Sequence, residues 1–251
     1  SWGDWQLFGN AYIYDGGTRN YRKNGSTFDW AGTAGNSIQH TSTENKTFTS
    51  PSARGGFNYN KDGQSFGAYY HYINSPITFD SQGSGEYHIA DVEDQNVGDH
   101  IHNEMKTERH TVATYYDNQL SDERLIHFDG NYVHSWHHAD NLTSNAYADH
   151  TVNVPSQTGM RSTLWAGKLY YQFPLLTGQV NIGTEDSYTF NHQQYTILNS
   201  DISTYVPSTM NESKQYAYAA FTTFTRDFGK LTLTLGLRWE SIKFDYLLCI
   251  E

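Results

Sequence analysis

From Lys230 to Glu240 the chain alternates: Leu231, Leu233, Leu235, Leu237 and Trp239 against Thr232, Thr234, Gly236, Arg238 and Glu240. Successive side chains of an extended backbone point to opposite sides, so this segment is a strand with one apolar and one wet face. The pattern recurs along the chain. Trp5, Leu7, Gly9, Ala11 and Ile13 form one such stripe, and Phe66, Ala68, Tyr70 and Tyr72 another. Ile126, Phe128, Gly130, Tyr132 and Trp136 form a third; Trp165, Leu169, Tyr171 and Phe173 a fourth; Val180 and Ile182 a short fifth. Helical periodicity is hard to find. Each alternating segment predicts a strand of about 10 residues.

Short breaks fall at Asn60–Gly63, Asp117–Ser121, Pro174–Gly178 and Asp227–Gly229. Centred on Asp62, Gln119, Leu175 and Phe228 they are 57, 56 and 53 residues apart, and one more step back of 58 lands on Asp4. Each unit holds two strands and a long connection rich in Asn, Ser, Thr, Asp and Gly. Those connections are expected over about 15–50, 75–106, 139–160 and 191–213.

Composition sharpens the picture. Of 251 residues, 20 are Tyr, 13 Phe and 6 Trp, whereas total apolar content is only 37%. Disordered chains are depleted in aromatics, so ordered structure is using these rings. No apolar run is long enough for a membrane-crossing helix. The net charge of −11, with scattered basic residues, argues against a nucleic-acid partner. One cysteine, Cys249, excludes a disulfide framework and a cysteine-based zinc site. The chain starts at Ser1 rather than Met, as a processed, trimmed or partial sequence does.

Short turns at one end, long polar connections at the other and alternating strands between them are the signature of a transmembrane β-barrel. In lipid every backbone N–H and C=O must be paired internally, which only helices and closed barrels achieve. The expected fold is therefore all-β: an antiparallel up-and-down transmembrane β-barrel, represented here by about nine or ten strands. Tyr and Trp favour the lipid–water boundary. Trp5, Tyr72, Trp136, Trp165, Tyr171 and Trp239 fall near the ends of the expected strands on their apolar side.

The last third adds motifs. "AGKLYYQFPLLTGQVNIGTEDSY" is followed, after a polar stretch, by "KQYAYAAFTTFTRDFGKLTLTLGLRWE". Tyr170, Tyr171, Pro174, Leu175, Gly183, Ala219, Ala220, Phe228, Gly229, Lys230, Gly236, Leu237, Arg238 and Glu240 carry the pattern. It resembles the barrel of TonB-dependent outer-membrane receptors, in particular the Bacteroidota-type outer-membrane β-barrel family. Phe221 stands where that family often has Tyr. The resemblance implies an outer-membrane location, contact with membrane lipid, an imported ligand, and coupling to TonB through a plug domain. No plug is recognisable here, and the last residues, Leu247 to Glu251, do not end on the usual aromatic. Residues 1–251 are thus expected to be one region of a larger barrel, with the plug and C-terminal strands absent.

Candidate chemistry is sparse. Lys168, Arg238 and Glu240 lie on the inferred lumen side, either on a translocation path or plug contact or in a salt-bridge ladder filling a polar interior. His134, His137, His138 and Asp140 form the densest histidine cluster. On a strand His137 points away from His134 and His138, so a metal site is not expected. His100 and His102 on a polar connection make a weaker pair. No nucleophile elbow, Ser/His/Asp spacing or phosphate-binding glycine loop appears, so no catalytic residue, cofactor or enzyme activity is expected. Two rival readings stay open: a passive or structural outer-membrane barrel without TonB coupling, and a secreted all-β carbohydrate-binding module. A water-soluble sheet with the stripe from Leu231 to Trp239 would need a second layer to cover it. The sequence does not distinguish siderophore, cobalamin, glycan or peptide as ligand.

Overall fold

The computed structural model describes residues 3–30, 33–89, 95–199, 201 and 207–250. Nine strands are present among them: β1 (Trp5–Trp30), β2 (Thr33–Lys61), β3 (Gln64–Ile89), β4 (Gln95–Ser121), β5 (Arg124–Ala146), β6 (Thr151–Leu175), β7 (Gly178–Ile197), β8 (Thr209–Phe228) and β9 (Leu231–Ile250). They form one sheet in sequence order, every neighbouring pair antiparallel. This is the expected up-and-down topology.

The short turns hold where backbone chemistry favours them. Asp62 and Gly63 both adopt positive φ (50° and 80°) between β2 and β3, the Asp-Gly pair that a tight hairpin prefers. Gly229 at φ 68° opens the β8–β9 turn. Two expected breaks are displaced. Asp117–Ser121 lies inside β4, and the turn falls at Asp122–Glu123; Asp227 and Phe228 likewise complete β8. The polar run Asp117–Gln119 looks like a turn, but its backbone pairs with His127, Ile126 and Leu125.

The larger correction concerns length. The strands run 20 to 29 residues, and most of what was expected as long connection is paired β structure. Residues 31–32, 90–94, 200 and 202–206, within three of those connections, lie outside the described residues. A bilayer needs only about 10 residues per tilted strand. The remainder rises beyond it as a β wall.

Register converts the separate stripes into one surface. One line across the sheet joins Trp5, Tyr59, Phe66, Tyr116, Phe128, Leu169, Thr184, Ala220 and Trp239. Paired residues share a face, so all the stripes read from the sequence lie on the same side. We call it the apolar face. Of the residues that are buried, all except Val180 occupy the other face, and apart from Ile197 they are small: Ser52, Ser81, Ala139 and Ser156 among them. Side chains converge on the concave side of a curved sheet, so that polar face is the concave one. Among the described residues no large side chain is fully buried, and they form no core within the sheet.

Candidate functional site

On the apolar face the belt begins at the short turns with Trp5, Tyr59 and Phe66, their ring centroids 4.9 to 5.7 Å apart. It ends about 10 residues further on at a second set of rings. There Tyr132 pairs with Trp165, Trp165 with Tyr188, and Tyr188 with Tyr216 along a single line. The Tyr132–Trp165 and Tyr188–Tyr216 centroids lie 4.3 and 4.8 Å apart. Tyr72, Trp136 and Trp239 continue the upper boundary on β3, β5 and β9 as the strands shift past one another. Two aromatic girdles thus bracket an apolar band, with Leu237 77% exposed inside it. Such a band is unfavourable in water and suited to hydrocarbon.

The concave face at the same height is polar and internally bonded. Lys168 donates to Glu185 Oε1 at 2.9 Å, and Arg238 to Glu185 Oε2 at 2.6 Å. Arg238 also donates from Nε to Glu240 at 2.5 Å. The three residues expected from sequence are therefore brought together: Lys168 and Arg238 meet on a fourth, Glu185, that the sequence reading missed, and Glu240 joins through Arg238. Lys168 and Glu185 are cross-strand partners; Arg238 reaches over β8, where small Ala219 leaves the space. These groups line a concavity of about 430 Å³. Next to it, His127 sits between Asp117 and Asp129, with Nδ1 at 2.6 Å and Nε2 at 2.7 Å from their carboxylates. Further along, Tyr115 donates to Asn58, and Asn181 to Thr223. Such a surface meets water or another polar surface, since each group's remaining hydrogen-bonding capacity would be unsatisfied in lipid.

The histidine cluster is dispersed by strand alternation. His134 Nδ1 is 3.0 Å from the Thr163 hydroxyl, His137 bonds Thr107 across the other face, and His138 Nε2 lies 3.2 Å from Asp140. Among the described residues no three His, Cys, Asp or Glu side chains are gathered to hold a metal ion. His102, well beyond the upper girdle on β4, bonds Asp80 through Nδ1 at 2.6 Å. The Asp80 carboxylate raises the imidazole above its ordinary value, and the same hydrogen bond lowers Asp80.

An apolar band between aromatic girdles, on a sheet whose other face is hydrogen-bonded and charged, defines a membrane-spanning β-barrel wall. The profile of the outer membrane protein beta-barrel family matches residues 118–248, which is 131 of 251 residues. The chain belongs to that family, and the protein resides in the outer membrane. No curated protein matches it. Among solved structures it is similar to the outer membrane protease OmpT from Escherichia coli at 10% identity, covering 95% of this chain and 89% of that one, TM-score 0.35. The toluene transporter TodX from Pseudomonas putida shows 7% identity, coverages of 96% and 88%, and TM-score 0.29. The unliganded ferric citrate transporter FecA shows 7% identity, coverages of 93% and 50%, and TM-score 0.28. At these scores the neighbours add nothing to the family assignment, and the protease and transporter activities stay with those proteins.

Proposed function

We propose that the chain is a stretch of the barrel wall of a TonB-dependent receptor, which binds a scarce or bulky ligand and imports it by coupling to TonB through a plug domain. Residues 1–251 form one region of that wall in this reading, with the plug and further strands contributed by the parent protein. The observation that carries it is the open sheet. With nine antiparallel strands β1 and β9 run in the same direction, so they cannot meet with the antiparallel pairing that joins every other neighbour in the sheet. Among the described residues neither outer edge is paired. Unpaired edges are intolerable in hydrocarbon, so the wall has to continue. A barrel well beyond eight strands encloses a lumen too wide for side chains to fill, and it either conducts water or holds a plug. The motifs around Arg238 and Glu240 favour the plugged kind.

Lys168, Arg238 and Glu240 then face the lumen, with Glu185 between Lys168 and Arg238, where a plug or a passing solute meets them. The tall wall beyond the upper girdle forms the vestibule that first meets the ligand.

The test begins with the parent reading frame and ends with transport. A plug domain upstream, further strands downstream and solute uptake that stops on deletion of TonB are the expected results. A complete barrel without a plug, or uptake indifferent to TonB, would replace this reading with a passive outer-membrane barrel.

A further inference from the structure

We propose that Arg54 is a carboxylate-binding point on the concave wall, laid out in advance on the rings of Tyr69 and Phe8. The inference uses the outer-membrane location and the face assignment, and it does not depend on TonB-coupled import.

Arg54 alternates with Ala53 and Gly55 of the apolar face, so it belongs to the concave side, as do Phe8 on β1 and Tyr69 on β3. Its height is that of the upper girdle, since Ala53 beside it pairs with Tyr72. The guanidinium carbon lies 4.0 Å from the centre of the Tyr69 ring and 5.7 Å from that of Phe8. Gly56 makes the platform possible. It pairs with both Phe8 and Tyr69, and a Cβ there would stand 2.7 Å from Phe8 Cζ and 2.7 Å from Tyr69 Cβ. The two side chains therefore close over bare backbone, and the guanidinium rests on them.

Stacking occupies the face of the guanidinium and leaves the N–H donors in its plane free. Among the described residues those donors have no hydrogen-bond or ion-pair partner. Lower on the same wall the cations are matched, since Lys168 and Arg238 share Glu185. No acid plays that part for Arg54. Asp117 and Asp129 stand two and three strands away and nearer the short turns, their Cα atoms roughly 20 Å off. His127 already lies between those two carboxylates. Asp15 stands at the bulge after Tyr14, five residues past the cross-strand partner Asn10 and roughly 17 Å away.

The unmet demand is for an oxyanion, and geometry selects a carboxylate. Two coplanar oxygens match the parallel donors of the fork, and Phe8 offers an apolar surface to the carbon that bears them. Arg109 strengthens the pull. It lies on the same face of β4, two residues beyond the Thr111 that pairs with His71, the cross-strand neighbour of Arg54. Its Cα is roughly 12 Å from that of Arg54, so both cations act on the same stretch of wall. The carboxylate comes from one of two sources: a solute in the lumen, or an acidic side chain of a segment of the parent protein that fills it.

The experiment is saturation-transfer NMR of the full-length protein in neutral detergent, joined to carbodiimide cross-linking of its Arg54→Lys variant. The NMR probes are benzoate and its neutral isostere benzamide. If the point is open to solutes, wild type binds benzoate about tenfold or more tightly than benzamide, as a charge-assisted contact requires. Arg54→Gln, shown by heat-modifiability to be folded, then loses that preference. If the parent protein supplies the carboxylate, wild type shows no preference. Carbodiimide then joins position 54 of Arg54→Lys to an acidic residue outside residues 1–251, identified by peptide mass spectrometry. Either result supports the proposal and names the source. A folded Arg54→Gln that keeps the benzoate preference would overturn it. So would a cross-link confined to residues 1–251, or the absence of both preference and cross-link.

Discussion

Placing an arginine on each face of β9 separates the two sides of the wall by energy. Leu235 is the midpoint of the apolar run Leu231–Trp239, pairs with Phe224 and is 58% exposed to whatever medium surrounds the barrel. Thr234, one residue away, faces the concave side, where its hydroxyl lies 3.2 Å from that of Thr225. An arginine at the bilayer midplane costs about 2–4 kcal/mol. Thr234→Arg loses one exposed hydroxyl pair, worth about 1 kcal/mol or less, and places its charge beside water. The expected gap between Leu235→Arg and Thr234→Arg is therefore about 2–3 kcal/mol, or roughly 30- to 150-fold in the folding equilibrium. Guanidinium titration of the full barrel refolded into phosphatidylcholine vesicles, followed by tryptophan fluorescence, measures it. Equal costs, or a larger cost at Thr234, would refute the face assignment. A one-residue slip of register would produce that reversal.

Three further outcomes follow from the same geometry. Glu185→Gln leaves Lys168 and Arg238 facing each other with less compensation, so stability should fall by about 1 kcal/mol and become more salt-dependent; a double-mutant cycle with Arg238→Gln would show no coupling if the network is inert. Thr177 sits at φ 60°, costly for a β-branched residue, so Thr177→Gly should stabilise the β6–β7 turn by about 1 kcal/mol in the same titration, and destabilisation would contradict the turn geometry. His102 is raised by Asp80, so its contribution is complete below about pH 6.5 and is lost as pH rises through the raised value, while Asp80's own contribution is lost only well into acid. The melting temperature of His102→Asn should therefore fall below wild type at pH 5 and approach it at pH 9; a constant difference would show that the pair does not titrate as described.

How much of this was legible depended on what each segment meets. The stripes on β1, β3, β5, β6, β7 and β9 were readable because lipid demands apolar residues at every second position, and the register places all of them on one face. The hairpin at Asp62–Gly63 was readable because its turn chemistry is local. Lys168, Arg238 and Glu240 were found by their alternation on a strand, but Glu185 was not, since a cross-strand partner is fixed by register and register has no local signature. His127 was passed over for the same reason: its carboxylates come from β4 and from two residues along its own strand. The outer halves of the strands looked like loops because neither face there meets hydrocarbon. Thr41 and Thr43 belong to paired β2, yet their composition is that of a connection.

The same strands change code at the upper girdle. Within the membrane the outward face is apolar and the concave face charged. Beyond it the outward face carries Asp80, His100, His102, Glu104, Lys106, Asp140, Lys243 and Asp245. The concave face there carries Ile77, Phe79, Ile101, Met105, Val154, Phe244 and Leu248. Pairing of β3 with β4 and of β8 with β9 runs through this change with no register shift, so a bulge does not cause it. The medium does. Lipid outside and water inside give way to water outside and a half-enclosed interior, and each face follows its surroundings. On β9 the apolar positions move from odd to even numbers after Trp239, and two alternations of opposite phase cancel when read as one segment. That cancellation hid half of each strand from a period-two reading. It also leaves the concave face more apolar above the upper girdle than at the height of the charged Glu185 network beneath it.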